Sequence, residues 1–261
     1  MDLSLLITLT AAGVGFLVGL TGVGAGALMT PLLIVFFSVS PAIAIATDLI
    51  FAAVTKVVGG WVHLRQGAVQ WNLLKRLWLG GIIGALLGVG LIFFSIARPS
   101  ANDWLRYPLA FVVILAGVTL IVRAAGQHVG TDNLRQVSSR RINHVAIGGG
   151  AGIGLAVSLT SVGAGALGMA LLARLAPRDT DPRSLVGTDL LFAVPIALVA
   201  GMSYLIGGLV DASLLLNLLI GSIPGVLLGT FLASKVPSKA LGAVIGVALF
   251  FAAFLVLNSS S

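Results

Sequence analysis

Cysteine is absent from the 261 residues, and Asp, Glu, Lys and Arg together make up only 9% of them. The first absence removes disulfide frameworks, thiol chemistry and cysteine metal sites. The second separates the chain from soluble domains, in which roughly a quarter of residues are charged. Motif chemistry is missing as well. The chain has no G-x-x-x-x-G-K-[ST] loop, no H-E-x-x-H and no G-x-S-x-G. That excludes P-loop ATP hydrolysis, zincin chemistry and a nucleophile elbow. Ser158 and Ser161 have no histidine near them in sequence, and His128 and His144 fall in a polar connector or beside it.

What is present is apolar. Hydrophobic residues make up 58% of the chain and its mean hydropathy is +1.13, so it reads as an integral membrane protein with little mass outside the bilayer. The net charge of +7 resides in short loops between apolar runs, the placement that membrane orientation requires, and this argues against nucleic acid as a partner. Met1-Asp2-Leu3 lacks the basic flank of a signal peptide, so the first apolar run is expected to stay in the mature protein. At about 20 apolar residues per crossing, the pattern predicts a long broken segment over 3–37 and spans at 41–62, 75–96 and 105–123. A second broken segment, 144–175, precedes spans at 184–208, 212–234 and 238–257. The most hydrophilic stretch lies between them. It defines three parts: a first transmembrane repeat (1–125), a polar cytoplasmic linker (126–143) and a second transmembrane repeat (144–261).

The two halves are copies. Leu20-Thr21-Gly22-Val23-Gly24-Ala25-Gly26-Ala27-Leu28 returns 139 residues later as Leu159-Thr160-Ser161-Val162-Gly163-Ala164-Gly165-Ala166-Leu167. With a shift of 141, Thr47-Asp48-Leu49 falls on Thr188-Asp189-Leu190, Gly67 on Gly208, and Gly80, Gly84 and Gly88 on Gly221, Gly225 and Gly229. Blocks in one order at nearly one offset indicate duplication.

Loop charge decides how the copies are oriented. If each broken segment crosses once, the loop Lys and Arg residues divide evenly between the two sides. If each is a hairpin, one side collects Arg65, Lys75, Arg76, Arg123, Arg135, Arg140, Arg141, Arg174, Arg178, Arg183, Lys235 and Lys239. The other side then holds only Arg98 and Arg106. The positive-inside rule selects the hairpin arrangement. Each half then crosses an odd number of times, so the repeats are inverted and both termini face away from the cytoplasm. The expected fold is all-α, with two inverted-topology repeats, each a broken or hairpin segment plus three transmembrane helices, about 8–10 membrane helices in all.

The two glycine-rich breaks are the first candidate site. They comprise Thr21, Gly22, Val23, Gly24, Ala25 and Gly26, and Thr160, Ser161, Val162, Gly163, Ala164 and Gly165. Irregular backbone survives in a bilayer only where it is buried or lines an aqueous cavity, and a half-helix starting after a break points its positive end at that cavity. A single glycine run reads as close helix packing. Two at matched places in inverted halves read as a binding centre. The Gly22-x-Gly24-x-x-Ala27 spacing lacks the strand and distant acid of a dinucleotide site.

Asp48 and Asp189, each preceded by a threonine (Thr47 and Thr188), form the second pair. Buried carboxylates in a span are functional candidates, as proton carriers or base partners, and equally serve as caps for helix ends freed by the breaks. Lys56 is the one basic residue well inside a span, and its repeat counterpart is Ala197. It either adds positive charge to the pathway or snorkels outward. His63 and Arg65, between Trp61 and Trp71, read as interface residues.

These motifs resemble the sulfite exporter TauE/SafE family of membrane proteins. The resemblance is carried by the glycine run Gly15–Gly26 leading to Pro31, the Thr47-Asp48-Leu49 block, His63-Leu64-Arg65-Gln66-Gly67-Ala68-Val69-Gln70-Trp71, and the weaker second-half copies. It implies a secondary transporter of small sulfur-containing or organic anions, such as sulfite or sulfoacetate, in the cell inner membrane, with no cofactor, no metal and no enzymatic activity. By the same resemblance the breaks and the Thr-Asp blocks line the central site. The chain departs from the pattern where Ser161 replaces the glycine at Gly22 and where Ala170 replaces Pro31. Beside this reading stand transport of another small ion, including a cation held by Asp48 and Asp189, and an intramembrane enzyme or scaffold. A monomer and a homodimer are both compatible with the sequence.

Overall fold

The computed structural model describes residues 3–21, 26–65, 67, 69–96, 105–124, 139–177, 180–232, 246–247 and 249–256. The described chain is helical: α1 (Leu3–Thr21), α2 (Gly26–Phe37), α3 (Pro41–Arg65), α4 (Trp71–Ile96), α5 (Arg106–Ala124), α6 (Ser139–Thr160), α7 (Ala166–Leu175), α8 (Pro182–Ile206) and α9 (Ala212–Leu232). A further helical run, α10, covers 249–256. The two expected broken segments are α1–α2 and α6–α7. Among the described residues, four stretches are long and apolar enough to cross a membrane: Trp71–Ser95, Ile142–Thr160, Ser184–Ile206 and Ala212–Gly229. At 12 and 10 residues, α2 and α7 span roughly 15–18 Å, about half the hydrocarbon thickness. Two helix starts differ by four residues or more from the hydropathy reading. α4 begins at Trp71, where the Gln70 carbonyl accepts from Leu73 and Leu74 N–H. α6 begins at Ser139, inside the expected linker, of which 126–138 lie outside the described residues.

Helix ends follow local chemistry. Pro41 and Pro182 open α3 and α8, where the missing N–H costs nothing. Those helices close in matching turns. Gly67 and Gly208 adopt φ of 68° and 73°, and their N–H groups donate to the carbonyls of Leu64 and Leu205, each at 3.1 Å. Left-handed backbone at that place favours glycine. Asp211 caps α9, its Oδ1 accepting from Ser213 N, Ser213 Oγ and Leu214 N. The Leu214 N–H, followed by the Ser213 hydroxyl, holds the Asp211 carboxyl below its usual range. The cap is therefore fully formed above that range and weakens only as acid protonates it.

Pro195, inside α8, cannot donate to the carbonyl of Leu191 four residues earlier. The indole Nε1–H of Trp78, on α4, donates to that carbonyl at 3.0 Å. The proline's gap is thus closed from a neighbouring helix, the arrangement by which membrane helices tolerate proline.

Packing is inside-out relative to a soluble protein. Leu79, Leu86 and Leu87 on α4, and their repeat counterparts Ile220, Leu227 and Leu228 on α9, are exposed, while Thr30, Asp48, Lys56, Thr160, Thr188 and Asp189 are buried. Glycine stripes bring the helices together. A β-carbon at Gly80 would collide with the carbonyl oxygen of Ile147, and one at Gly84 with that of Ala151, so α4 lies directly on α6. In the same way Gly221 meets the Thr8 carbonyl and Gly225 the Ala12 carbonyl, so α9 lies on α1. The second pair of contacts is the first with the repeats exchanged: Thr8 and Ala12 shift by 139 to Ile147 and Ala151.

α3 and α8 pack against each other in the same reciprocal way. Gly60 abuts Leu191 and Gly201 abuts Ile50, so the start of each helix lies toward the end of the other and the pair is antiparallel. At the two ends, Gln70 N donates to Thr188 Oγ1 at 2.8 Å and Asp211 N to Thr47 Oγ1 at 3.1 Å. These bonds too are copies of one another.

Candidate functional site

The second break is fully described. α6 ends at Thr160, whose Oγ1 donates to the Ala156 carbonyl at 2.6 Å and accepts from Val162 N at 3.1 Å. Ser161 then adopts φ of 59° and Gly163 φ of 118°. Glycine suits the left-handed region; a serine there stores strain, and Ser161 occupies the place that glycine holds in the first copy. α7 starts from Gly165 without a side-chain cap, and the Gly163 carbonyl takes the N–H groups of both Leu167 and Gly168. Gly22, Val23, Gly24 and Ala25 of the first break lie outside the described residues, as do the side chains of Thr21 and Gly26.

Asp48, fully buried on α3, faces this region. Its Oδ2 accepts from Thr30 Oγ1 of α2 at 2.5 Å. The Ser161 hydroxyl stands close enough to the carboxylate to act on its charge, yet Ser161 Oγ and Asp48 Oδ1 each meet no partner in hydrogen-bond geometry. Asp189, 4% exposed on α8, lies against the first turn of α7; a β-carbon at Gly168 would strike its Oδ1. Each aspartate therefore stands by the early turns of a half-helix, Asp48 at α2 and Asp189 at α7. A carboxylate there interacts favourably with the positive helix end, but no side chain caps the start of α7.

Lys56 lies on α3 at 8% exposure, within electrostatic range of both Asp48 and Asp189. That burial argues against the snorkelling reading. Among the described residues it is the one buried basic side chain. Because α3 and α8 are antiparallel, the two aspartates sit on the order of 15–20 Å apart along the pair at 1.5 Å per residue. They cannot chelate one ion together, and no group of three or more His, Cys, Asp or Glu suited to a metal occurs among the described residues.

The structure thus brings Asp48, Lys56, Ser161 and Asp189 into one buried electrostatic group around the second break. It does not bring the Thr47 and Thr188 hydroxyls there, since these accept the main-chain N–H groups of the opposing turns at Asp211 and Gln70. Sequence reasoning missed Thr30, one residue before Pro31 in α2, because its repeat counterpart is Met169 and nothing in the pattern marked it. Tyr204 was missed too. It is fully buried and donates its hydroxyl to the Ser158 carbonyl of α6 at 2.9 Å, near the break. A buried tyrosine inside an apolar span was the available signal, since its hydroxyl needs a partner.

Helices with an apolar outer surface, two interrupted segments and charges gathered at the centre define a polytopic membrane transport protein. The family model described as "Sulfite exporter TauE/SafE" matches residues 7–256, and the chain belongs to that family. It is similar to "Probable membrane transporter protein YjnA" of Bacillus subtilis (strain 168), 35% identical over 84% of this chain and 86% of that protein. It also matches "Probable membrane transporter protein YdhB" of the same organism, 27% identical over 84% and 85%. A "Probable membrane transporter protein" of Xylella fastidiosa (strain 9a5c) is 28% identical over 84% and 80%. No solved structure matches. Family and relatives place the chain among membrane transporters rather than enzymes.

Proposed function

We propose that the protein exports a small sulfur-containing or organic anion (sulfite, sulfoacetate or a related sulfonate) from the cytoplasm across the inner membrane. The observation that carries this reading is Lys56, buried at the centre between two carboxylates and without a counterpart in the other repeat. A cation in a low-dielectric site needs counter-charge, and an arriving anion competes with Asp48 and Asp189 for it. The second break, Thr160–Gly165, with Asp48 and Asp189 lines this site, and the first break, Thr21–Gly26, is its sequence counterpart. The uncapped start of α7 and the Ser161 hydroxyl supply donors.

The two repeats are inverted, with both termini outside the cytoplasm, and the site opens alternately to either face. The reciprocal glycine contacts and the antiparallel α3–α8 pair support this arrangement, as does the loop-charge count. Export of a monovalent anion from a negative-inside cell gains about 2.3 kcal/mol per 100 mV, enough for more than tenfold asymmetry without a coupled ion.

Purified protein in liposomes tests the proposal. Efflux of sulfite, sulfoacetate, thiosulfate and taurine is followed with and without an imposed negative-inside potential. At least one of the anions should leave faster than in protein-free vesicles and respond to the potential, and Lys56→Gln should slow it about tenfold or more. If none moves, the anion reading fails.

A further inference from the structure

The two ends of the second break carry opposite electrostatic character. The start of α7 is a positive helix end and already faces Asp189. The end of α6 at Thr160 is a negative helix end, with carbonyls that have no helical partner beyond it. The acceptors Val157 O and Ser158 O are taken by Ser161 N and the Tyr204 hydroxyl. The last two carbonyls of α6, those of Leu159 and Thr160, lie beyond them. At this same negative end stand the Asp48 carboxylate from α3, the Ser161 hydroxyl and, on Asp48 Oδ2, the Thr30 hydroxyl from α2. Asp48 Oδ1 and Ser161 Oγ are buried beside each other, and neither is in hydrogen-bond geometry with any other group. Leaving two such atoms unsatisfied is costly, and a native fold retains them where something else meets them.

We propose that Asp48, Ser161 and Thr30, with the C-terminal carbonyls of α6, form a binding site for a sodium ion. The donor set is oxygen only, which selects a hard cation over a transition metal. It holds a single carboxylate, and Lys56 stands within range on the same helix. That local charge suits a monovalent ion and opposes a divalent one. The pseudo-equivalent place in the first repeat has glycine at position 22 instead of serine, so the site belongs to one half only. The left-handed strain at Ser161 has a reason here: it holds a hydroxyl where the other half has none. The titratable groups facing Asp48 are Lys56 from its own helix and, across Lys56, Asp189 from α8. Lys56 is thus shared between two carboxylates, which leaves Asp48 with charge to offer a cation.

The site is independent of which anion the protein moves, so it is tested by binding without any anion substrate. Thermal unfolding of the purified protein in detergent is measured in NaCl, LiCl, KCl and MgCl2, with choline chloride holding ionic strength constant. A ligand bound only by the folded state raises the midpoint as its concentration rises. NaCl should raise it in a saturable manner, KCl and MgCl2 should not, and the rise should vanish in Asp48→Asn and in Ser161→Ala. Asp181→Asn, exposed just before the start of α8, should keep it. Equal shifts in sodium, potassium and choline overturn the proposal, as does a sodium shift that survives in Ser161→Ala. Should Asp48→Asn fail to fold, Ser161→Ala, which keeps every charge, decides the matter alone. Liposome flux that fails while the sodium shift persists would sink the anion reading and leave this site standing.

Discussion

Trp78 shows how one side chain can hold a helix that its own sequence weakens. Proline at position 195 strips the Leu191 carbonyl of its helical donor, and the Trp78 indole donates to that carbonyl instead. Trp71 packs edge-on against the same ring at 6.4 Å, which fixes its direction. A carbonyl orphaned in an apolar interior costs about 1–3 kcal/mol. Trp78→Phe keeps most of the packing and loses the donor, so it should lower stability by about 1–2 kcal/mol. Thermal unfolding in detergent checks it. Trp61→Phe is the control, since that ring is half exposed and carries the Arg65 guanidinium over its face. Equal losses from the two substitutions would mean that ring volume, not the hydrogen bond, holds α8.

At the scale of helices, the glycine stripes set how closely neighbours approach. Gly80 and Gly84 on α4, and Gly221 and Gly225 on α9, leave room only for the carbonyl oxygens of the facing helix, whereas Gly90 and Gly152 face open space. Backbone cannot retreat as a flexible side chain can. Gly80→Ala or Gly221→Ala should therefore cost about 2–3 kcal/mol each, in the range of forced overpacking, while Gly90→Ala should be neutral or slightly stabilising. Melting temperatures of the three variants decide it. Much of this level was legible beforehand. The repeated glycine spacing already pointed to helix contacts, and the second break, at residue 161, ends a helix as expected. What stayed hidden was partnership. Periodicity shows that a helix has a small-residue face but not which helix it meets. Nothing in sequence indicated that α4 of the first half would lie on α6 of the second. For the same reason the Thr47 and Thr188 hydroxyls read as site residues, although they are spent on the far turns, and Thr30 went unnoticed.

For the whole molecule, this exchange of helices decides what packs together. One buried apolar cluster draws on α1, α2, α5, α9 and α10, and the other chiefly on α3, α4, α6, α7 and α8. The two packed clusters are thus interleaved products of both repeats, not the sequence halves on either side of the linker. The inverted relation proposed for those repeats makes a sharp prediction about topology. Asn72 and Ser213 are both exposed at helix starts, occupy equivalent places in the two copies and are 141 residues apart. Parallel repeats would put them on the same side of the membrane, inverted repeats on opposite sides. Because the chain has no cysteine, Asn72→Cys and Ser213→Cys each carry a single thiol. A membrane-impermeant maleimide added to intact cells should label Ser213→Cys and reach Asn72→Cys only after permeabilisation, since the loop beside Asn72 carries Arg65, Lys75 and Arg76 while that beside Ser213 carries no basic residue. Labelling of both from outside, or of neither, would return the charge count to coincidence. The antiparallel α3–α8 pair would then need an explanation other than an inverted duplication.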